Sequence, residues 1–270
     1  MTFQAASSSG VNFLERKGSG PILICLHGIG SNATSFDALL PKLPDNWHVL
    51  AWNAPGYGGS SPLAVDWPVA GNYAEALKHF VDGLGLRRFH LFGHSLGTLM
   101  AAAFAVSYPA YVDRLLLGSC ALGHGAKPGG PLSPQTQARL DDLSAQGAEV
   151  FAAGRAANLI YRPDENPCLV ERVFTTMSKI ANPGYTQAVR MLATGRLIED
   201  CARLDVPTSV IVGAEDKITP TDNNERAHAA IPEPKRRGFA SVSATGHALY
   251  QQAPQAVADF IIHELEIGHA

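Results

Sequence analysis

Three residue types able to serve as nucleophile, base and orienting acid occur at widely separated points of this 270-residue chain. The first lies where an apolar, β-prone run, residues 88–92, passes through a small-residue turn into an Ala-rich helical pattern over 98–108. The turn, Gly93-His94-Ser95-Leu96-Gly97, has the form G-x-S-x-G. Between a strand and a helix that form is a nucleophile elbow, so sharp that its serine takes a strained backbone conformation. The glycines two residues to either side let neighbouring backbone approach without a Cβ clash. The Ser95 hydroxyl is then presented at the end of a sheet, and the Leu96 amide faces the same space. A serine hydroxyl is a weak nucleophile near neutral pH and needs a base within reach, which in turn needs an orienting acid. Gly213-Ala214-Glu215-Asp216 follows an apolar run and holds two carboxylates, either of which satisfies the second need; Thr245-Gly246-His247 follows the last strand-like run and supplies the base. The loop His27-Gly28-Ile29-Gly30 follows the first buried run. Its Ile29 amide, paired with that of Leu96, is expected to form an oxyanion hole worth several kcal/mol in a dry site.

These residues need a frame. Residues 3–14 predict a short edge strand or hairpin. Residues 21–26, 47–52, 88–92, 112–118 and 207–213 are short apolar runs of the kind buried on both faces of a sheet. Helical patterns over 34–43, 72–84 and 98–107 alternate with them, which argues for a mostly parallel sheet with right-handed crossovers. From residue 122 to about 201 the alternation stops. A Gly/Pro-rich connector, 123–131, leads into helical patterns at 135–143, 148–160, 168–180 and 185–197. The strand pattern resumes at 207, with a last strand at 239–242 and a closing helix at 253–265. The chain thus divides into core segments 1–121 and 201–270 and a helical insertion, 122–200.

Composition narrows the function classes. Hydrophobic residues make up 46% and charged residues 17%, so a large core is expected. A net charge of −3 and the lack of a basic stripe argue against nucleic acid, and no polybasic cluster or 18-residue apolar run points to a membrane. The four cysteines, Cys25, Cys120, Cys168 and Cys201, are far apart with no C-x-x-C pair, and Cys25 reads as a small buried hydrophobe. Residues 1–10 lack the features of a signal peptide, so a cytoplasmic setting is expected. No histidine pair has zinc-site spacing, so no metal is expected. His90 and His94 read as packing or elbow residues, and His124, opening the insertion, as a pocket residue. Arg172 and Arg190 on insertion helices are candidates to hold a substrate carboxylate, against a plainer role on a solvated helix face.

Five motifs in order, His27-Gly-x-Gly, Gly56-x-Gly58-x-Ser60, Gly93-x-Ser95-x-Gly97, Gly213-x-x-Asp216-x-x-x-Pro220 and Gly246-His247, make the chain resemble serine-nucleophile members of the α/β-hydrolase fold superfamily that carry a helical cap. The likeness covers the chain outside 122–200. It implies an α/β fold with a mostly parallel eight-stranded sheet flanked by helices, a cap formed by the insertion, and no cofactor. It places the acid on Asp216 rather than Glu215, giving Ser95, Asp216 and His247 as the catalytic set. Asn53 departs from an aspartate common before the glycine-rich turn, with an effect expected on the turn and not on the chemistry. Dehalogenases and epoxide hydrolases of the superfamily place Asp at the elbow, and Ser95 argues against both. The chain is similar to 3-oxoadipate enol-lactonases and small carboxylesterases, which implies ester or lactone cleavage of a small molecule, acidic and aromatic compounds both being open. Carbon–carbon hydrolases of ring-fission products rank second, because Ala248 stands where they usually have Trp and Ser35-Phe36 where they tend to have Asn. A non-catalytic small-ligand receptor on the same fold is the reading from another class. The implied partner is a small-molecule substrate, with the chain a monomer or homodimer.

Overall fold

The computed structural model describes residues 3–266; residues 1–2 and 267–270, the outer ends of the two core segments, lie outside the described residues. Eight strands form one sheet: β1 (Gln4–Ser8), β2 (Val11–Arg16), β3 (Ile22–Leu26), β4 (His48–Trp52), β5 (Phe89–His94), β6 (Val112–Gly118), β7 (Thr208–Gly213) and β8 (Arg236–Val242). Their spatial order is β1-β2-β4-β3-β5-β6-β7-β8. The hairpin β1–β2 joins antiparallel to β4, and every pairing from β4 to β8 is parallel. The mostly parallel eight-stranded sheet expected from the sequence is therefore present.

Period-two alternation explains why the central runs are apolar throughout. Ile24, Leu26, Leu50, Leu91 and Leu115 face one core. Leu23, Cys25, Val49, Phe92 and Leu116 face a second core on the other side. Cys25 is fully buried, and burial pushes its thiol well above the ordinary range. The first core is covered by α1 (Ala70–Gly83) and α2 (Leu96–Ser107). On α1, Tyr73, Leu77, Phe80 and Val81 form one apolar stripe, and the Asn72 side chain accepts from the Val69 amide at its start (3.0 Å). α2 is apolar around most of its circumference because it is enclosed between the sheet and its neighbouring helices.

The insertion contains α3 (Pro134–Ala153), α4 (Pro167–Met177), α5 (Gly184–Thr194) and α6 (Leu197–Cys201), and among the described residues no strand of the sheet. The two helices expected over 135–160 meet within α3 at a break at Gly147, whose non-helical φ of 78° and ψ of 168° are accessible to glycine without strain. Ser133 caps α3 by accepting from the Thr136 amide (3.2 Å). Two 3₁₀ turns, Ala33–Ala38 and Leu40–Lys42, replace the single helix expected over 34–43. The core ends with α7 (Thr221–Ala230), α8 (Leu249–Gln252) and α9 (Pro254–Glu266). α7 has no counterpart in the sequence reading. It buries only Asn224 and Ala227, too narrow a stripe to give a helical periodicity. No helix among the described residues is long and apolar enough to cross a membrane.

Candidate active site

Parallel strands release their loops at one edge, and there β3, β5, β7 and β8 deliver His27 to Gly30, Ser95, Asp216 and His247. Ser95 sits between β5 and α2 with φ 52° and ψ −118°, a conformation costing a non-glycine residue about 1–3 kcal/mol. Its surroundings over-determine it. The Ser95 amide donates to the Gly118 carbonyl (2.8 Å), and its carbonyl accepts from the Thr98 amide (2.9 Å) and hydroxyl (2.6 Å). A Cβ on Gly97 would lie 2.3 Å from the Leu26 carbonyl oxygen, and one on Gly93 2.4 Å from that of Gly97. Both elbow glycines are therefore required by packing of α2 onto the sheet.

The Ser95 hydroxyl lies 3.0 Å from His247 Nε2, and His247 Nδ1 lies 2.9 Å from Asp216 Oδ2. All three residues are buried. The carboxylate can only accept here, so the ring proton is on Nδ1 and Nε2 is free to accept from Ser95. Asp216 is fully engaged: Oδ1 accepts from the amides of Ile218 (2.8 Å) and Thr219 (2.9 Å), and Oδ2 also accepts from the Thr219 hydroxyl (2.7 Å). Burial alone would raise its pKa, but the hydrogen bond and charge of His247 and the bonds from Thr219 outweigh burial and hold it at about 2. Glu215 is exposed beside it and does not reach the histidine.

The backbone of residues 28–29 closes over the serine: a Cβ on Gly28 would lie 2.9 Å from Ser95 Cβ. Leu96 opens α2, where a helix leaves its N–H groups without intrahelical partners. Ile29 and Leu96 both line the same cavity as Ser95.

Two buried histidines that the sequence marks only as motif or packing residues brace these loops. His27 Nε2 accepts from the Ala54 amide (3.0 Å), so its proton is on Nδ1, which donates to the Gly28 carbonyl (2.8 Å). His94 Nε2 donates to the His247 carbonyl (2.8 Å), with its ring against Tyr250. Burial lowers His27 to about 4, and burial followed by the charge of His247 lowers His94 to about 3. Asn53 also ties loops together, accepting from the Ala33 amide (2.8 Å) beside the glycine-rich turn.

An expected result follows for stability. Both rings bind a proton more weakly folded than unfolded, so the unfolded chain takes up protons between about pH 6.5 and the folded values, and stability falls as pH drops through that window. From pH 7 to pH 5 the loss is roughly 2 kcal/mol for each histidine. Urea unfolding at the two pH values measures it; equal stabilities would show that the rings are not held neutral.

Above the serine opens a cavity of about 500 Å³, within the range of small-molecule sites. The insertion supplies much of its wall, including His124, which stands exposed at the rim as a pocket residue. Arg172 and Arg190 are not brought there. Arg172 is exposed on α4 and faces Asp37, about 140° around the helix from the cavity-lining Met177. Arg190 is about 200° around α5 from the cavity-lining Leu192. It donates to the Asp66 carbonyl (2.7 Å), pairs with the Asp66 carboxylate (2.9 Å) and covers the Trp67 ring. The arginines that do line the cavity are Arg139 and Arg155, which the sequence reading passed over. Among the described residues no three His, Cys, Asp or Glu side chains gather as a metal site.

The sequence profile of the alpha/beta hydrolase fold matches residues 21–254. The chain belongs to the alpha/beta hydrolase fold family. Within this alpha/beta hydrolase family, similar curated proteins include a 2-hydroxy-6-oxononadienedioate/2-hydroxy-6-oxononatrienedioate hydrolase of Pseudomonas putida, 27% identical over 257 residues, covering 89% of this chain and 87% of the relative. Similar solved structures include a thermophilic esterase from Thermogutta terrifontis, with a TM-score of 0.83 at 21% identity over the whole of both chains. An enol-lactonase from Burkholderia xenovorans LB400 has a TM-score of 0.83 at 17% identity over 97% of this chain and 99% of its own.

Proposed function

We propose that this alpha/beta hydrolase is a serine esterase or lactonase that cleaves a small carboxylic ester through an acyl-enzyme. The observation that carries the reading is the hydrogen-bonded chain from Ser95 through His247 to Asp216, with Ser95 and His247 lining a cavity that Ile29 and Leu96 line as well. Ser95 Oγ attacks the carbonyl carbon while its proton passes to His247 Nε2. The new oxyanion accepts from the two amides, and Asp216 stabilises the imidazolium. Collapse breaks the bond to the leaving oxygen, which takes the proton from His247, and an acyl group remains on Ser95. Water then adds to that carbonyl, giving its proton to His247; the second collapse releases the acid and returns the proton to Ser95. The segment 122–200 acts as the cap that sets the acyl and alcohol pockets.

The test is turnover of p-nitrophenyl acetate and butyrate together with covalent labelling by a fluorophosphonate. Both are expected. Neither would be seen with a ligand receptor on the same fold, and that outcome ends the proposal. A second reading, hydrolysis of a carbon–carbon bond in a ring-fission product, draws on the relative from Pseudomonas putida, whose alignment spans most of both chains. Against it, Ala248 follows His247 and Ser35-Phe36 occupies the deeper part of the serine-facing loop. A panel of esters, lactones and ring-fission dienoates separates the two by relative kcat/KM.

A further inference from the structure

The cavity wall is unbalanced in charge. It includes Arg139 and Arg155 but no aspartate or glutamate. Arg155 is already neutralised: it donates to Asp142 (2.7 Å), and its guanidinium lies 3.8 Å from the centre of the Phe151 ring. Arg139 differs. It is half-buried near Tyr185, and among the described residues it has no carboxylate partner. Arg139 also lines a second, open recess that it shares with His124 and Gln135, so it stands where the cavity meets solvent.

We propose that Arg139 is the substrate-specificity residue of this site and binds a carboxylate on the substrate remote from the bond cleaved. The inference rests on the hydrolase reading for the chemistry, but the anion site itself does not. One unpaired guanidinium supplies one charge and a planar pair of donors, which match a single carboxylate; a phosphate dianion would leave one charge uncompensated. His124 and Gln135 at the same rim offer further donors to that group. The aliphatic part of the cavity wall, which includes Leu122 and Leu192, suits a short methylene or unsaturated spacer. The favoured substrates are then half-esters of small dicarboxylic acids, or esters and lactones whose alcohol part carries the acid.

Paired substrates test this. Mono-p-nitrophenyl glutarate against p-nitrophenyl pentanoate places the carboxylate on the acyl side. 4-Acetoxybutanoate against pentyl acetate places it on the leaving group. The wild-type protein is expected to prefer the anionic member of at least one pair by tenfold or more in kcat/KM, chiefly through KM. Arg139→Gln is expected to lose that preference, its kcat/KM falling by tenfold or more further on the anionic member of the pair than on the neutral one, and Arg139→Lys to recover part of it. Arg172→Ala and Arg190→Ala should leave the preference as it is. A second measurement does not depend on catalysis: calorimetric titration of glutarate into Ser95→Ala, with and without Arg139→Gln. Weakening of glutarate binding by tenfold or more at unchanged melting temperature supports the site even if no ester is turned over. Equal affinity with and without Arg139→Gln, or no binding together with no preference, overturns it. Turnover of neutral esters with no anionic preference would leave the hydrolase reading standing and remove only the carboxylate site.

Discussion

Replacing Ser95 with alanine is expected to lower kcat on p-nitrophenyl esters by about 10⁶-fold, leaving only what the oxyanion donors and binding supply. The reason is geometric. Among the described residues, Ser95 Oγ is the hydroxyl within hydrogen-bond reach of His247 Nε2, at 3.0 Å, and it lines the cavity where the substrate carbonyl must lie. Alanine retains the Cβ and so retains the packing against Gly28, which keeps the fold and the cavity intact. Phosphonate treatment of the wild-type protein followed by digestion should place the adduct on the peptide containing Gly93 to Gly97. Ser95→Gly should be as inactive as Ser95→Ala but melt at a higher temperature, because glycine occupies φ 52°, ψ −118° without steric strain. Full activity in Ser95→Ala, or an adduct on another peptide, would sink the acyl-enzyme mechanism. The contrast between the alanine and glycine variants would show that the strain belongs to the function and not to the fold.

The second large effect is at the acid. Asp216→Asn is expected to lower kcat about 10⁴-fold, whereas Glu215→Gln should stay near wild type. An asparagine amide facing His247 Nδ1 donates where the carboxylate accepted. The ring proton then moves to Nε2, which can no longer take the proton of Ser95. The variant also loses the charge that stabilises the imidazolium at every working pH, since Asp216 is held at about 2 in the native protein. Glu215 is exposed, and its part in the site is its amide, which donates to the Thr245 carbonyl at 2.9 Å and survives any change of side chain. Steady-state kinetics of the two variants side by side decides the matter: a large loss in Glu215→Gln with a small one in Asp216→Asn would reverse the roles.

What the sequence determined by itself is what local chemistry and period dictate. The apolar runs define strands buried on both faces, since no other arrangement hides five or six consecutive apolar side chains in a parallel sheet. G-x-S-x-G marks Ser95 because only glycine at 93 and 97 permits the close approaches of α2 to the sheet. The ends of strands lead to one edge, so Asp216 and His247 are placed near Ser95 by topology alone. Beyond that, contacts between distant segments decided. The sequence places α7 no more firmly than a loop, because its buried stripe is two residues wide and its stability comes from packing on the sheet. The roles of His27 and His94 depend on which carbonyl each ring meets, Gly28 for one and His247, 153 residues away, for the other. Most of all, the choice among arginines needed the tertiary structure. Arg139, Arg172 and Arg190 all lie on helices of the insertion and look alike in one dimension. The rotation of each helix against the cavity turned Arg172 and Arg190 outward and Arg139 inward, and that rotation is set by which apolar stripe each helix buries, a property of the packed whole and not of the arginines.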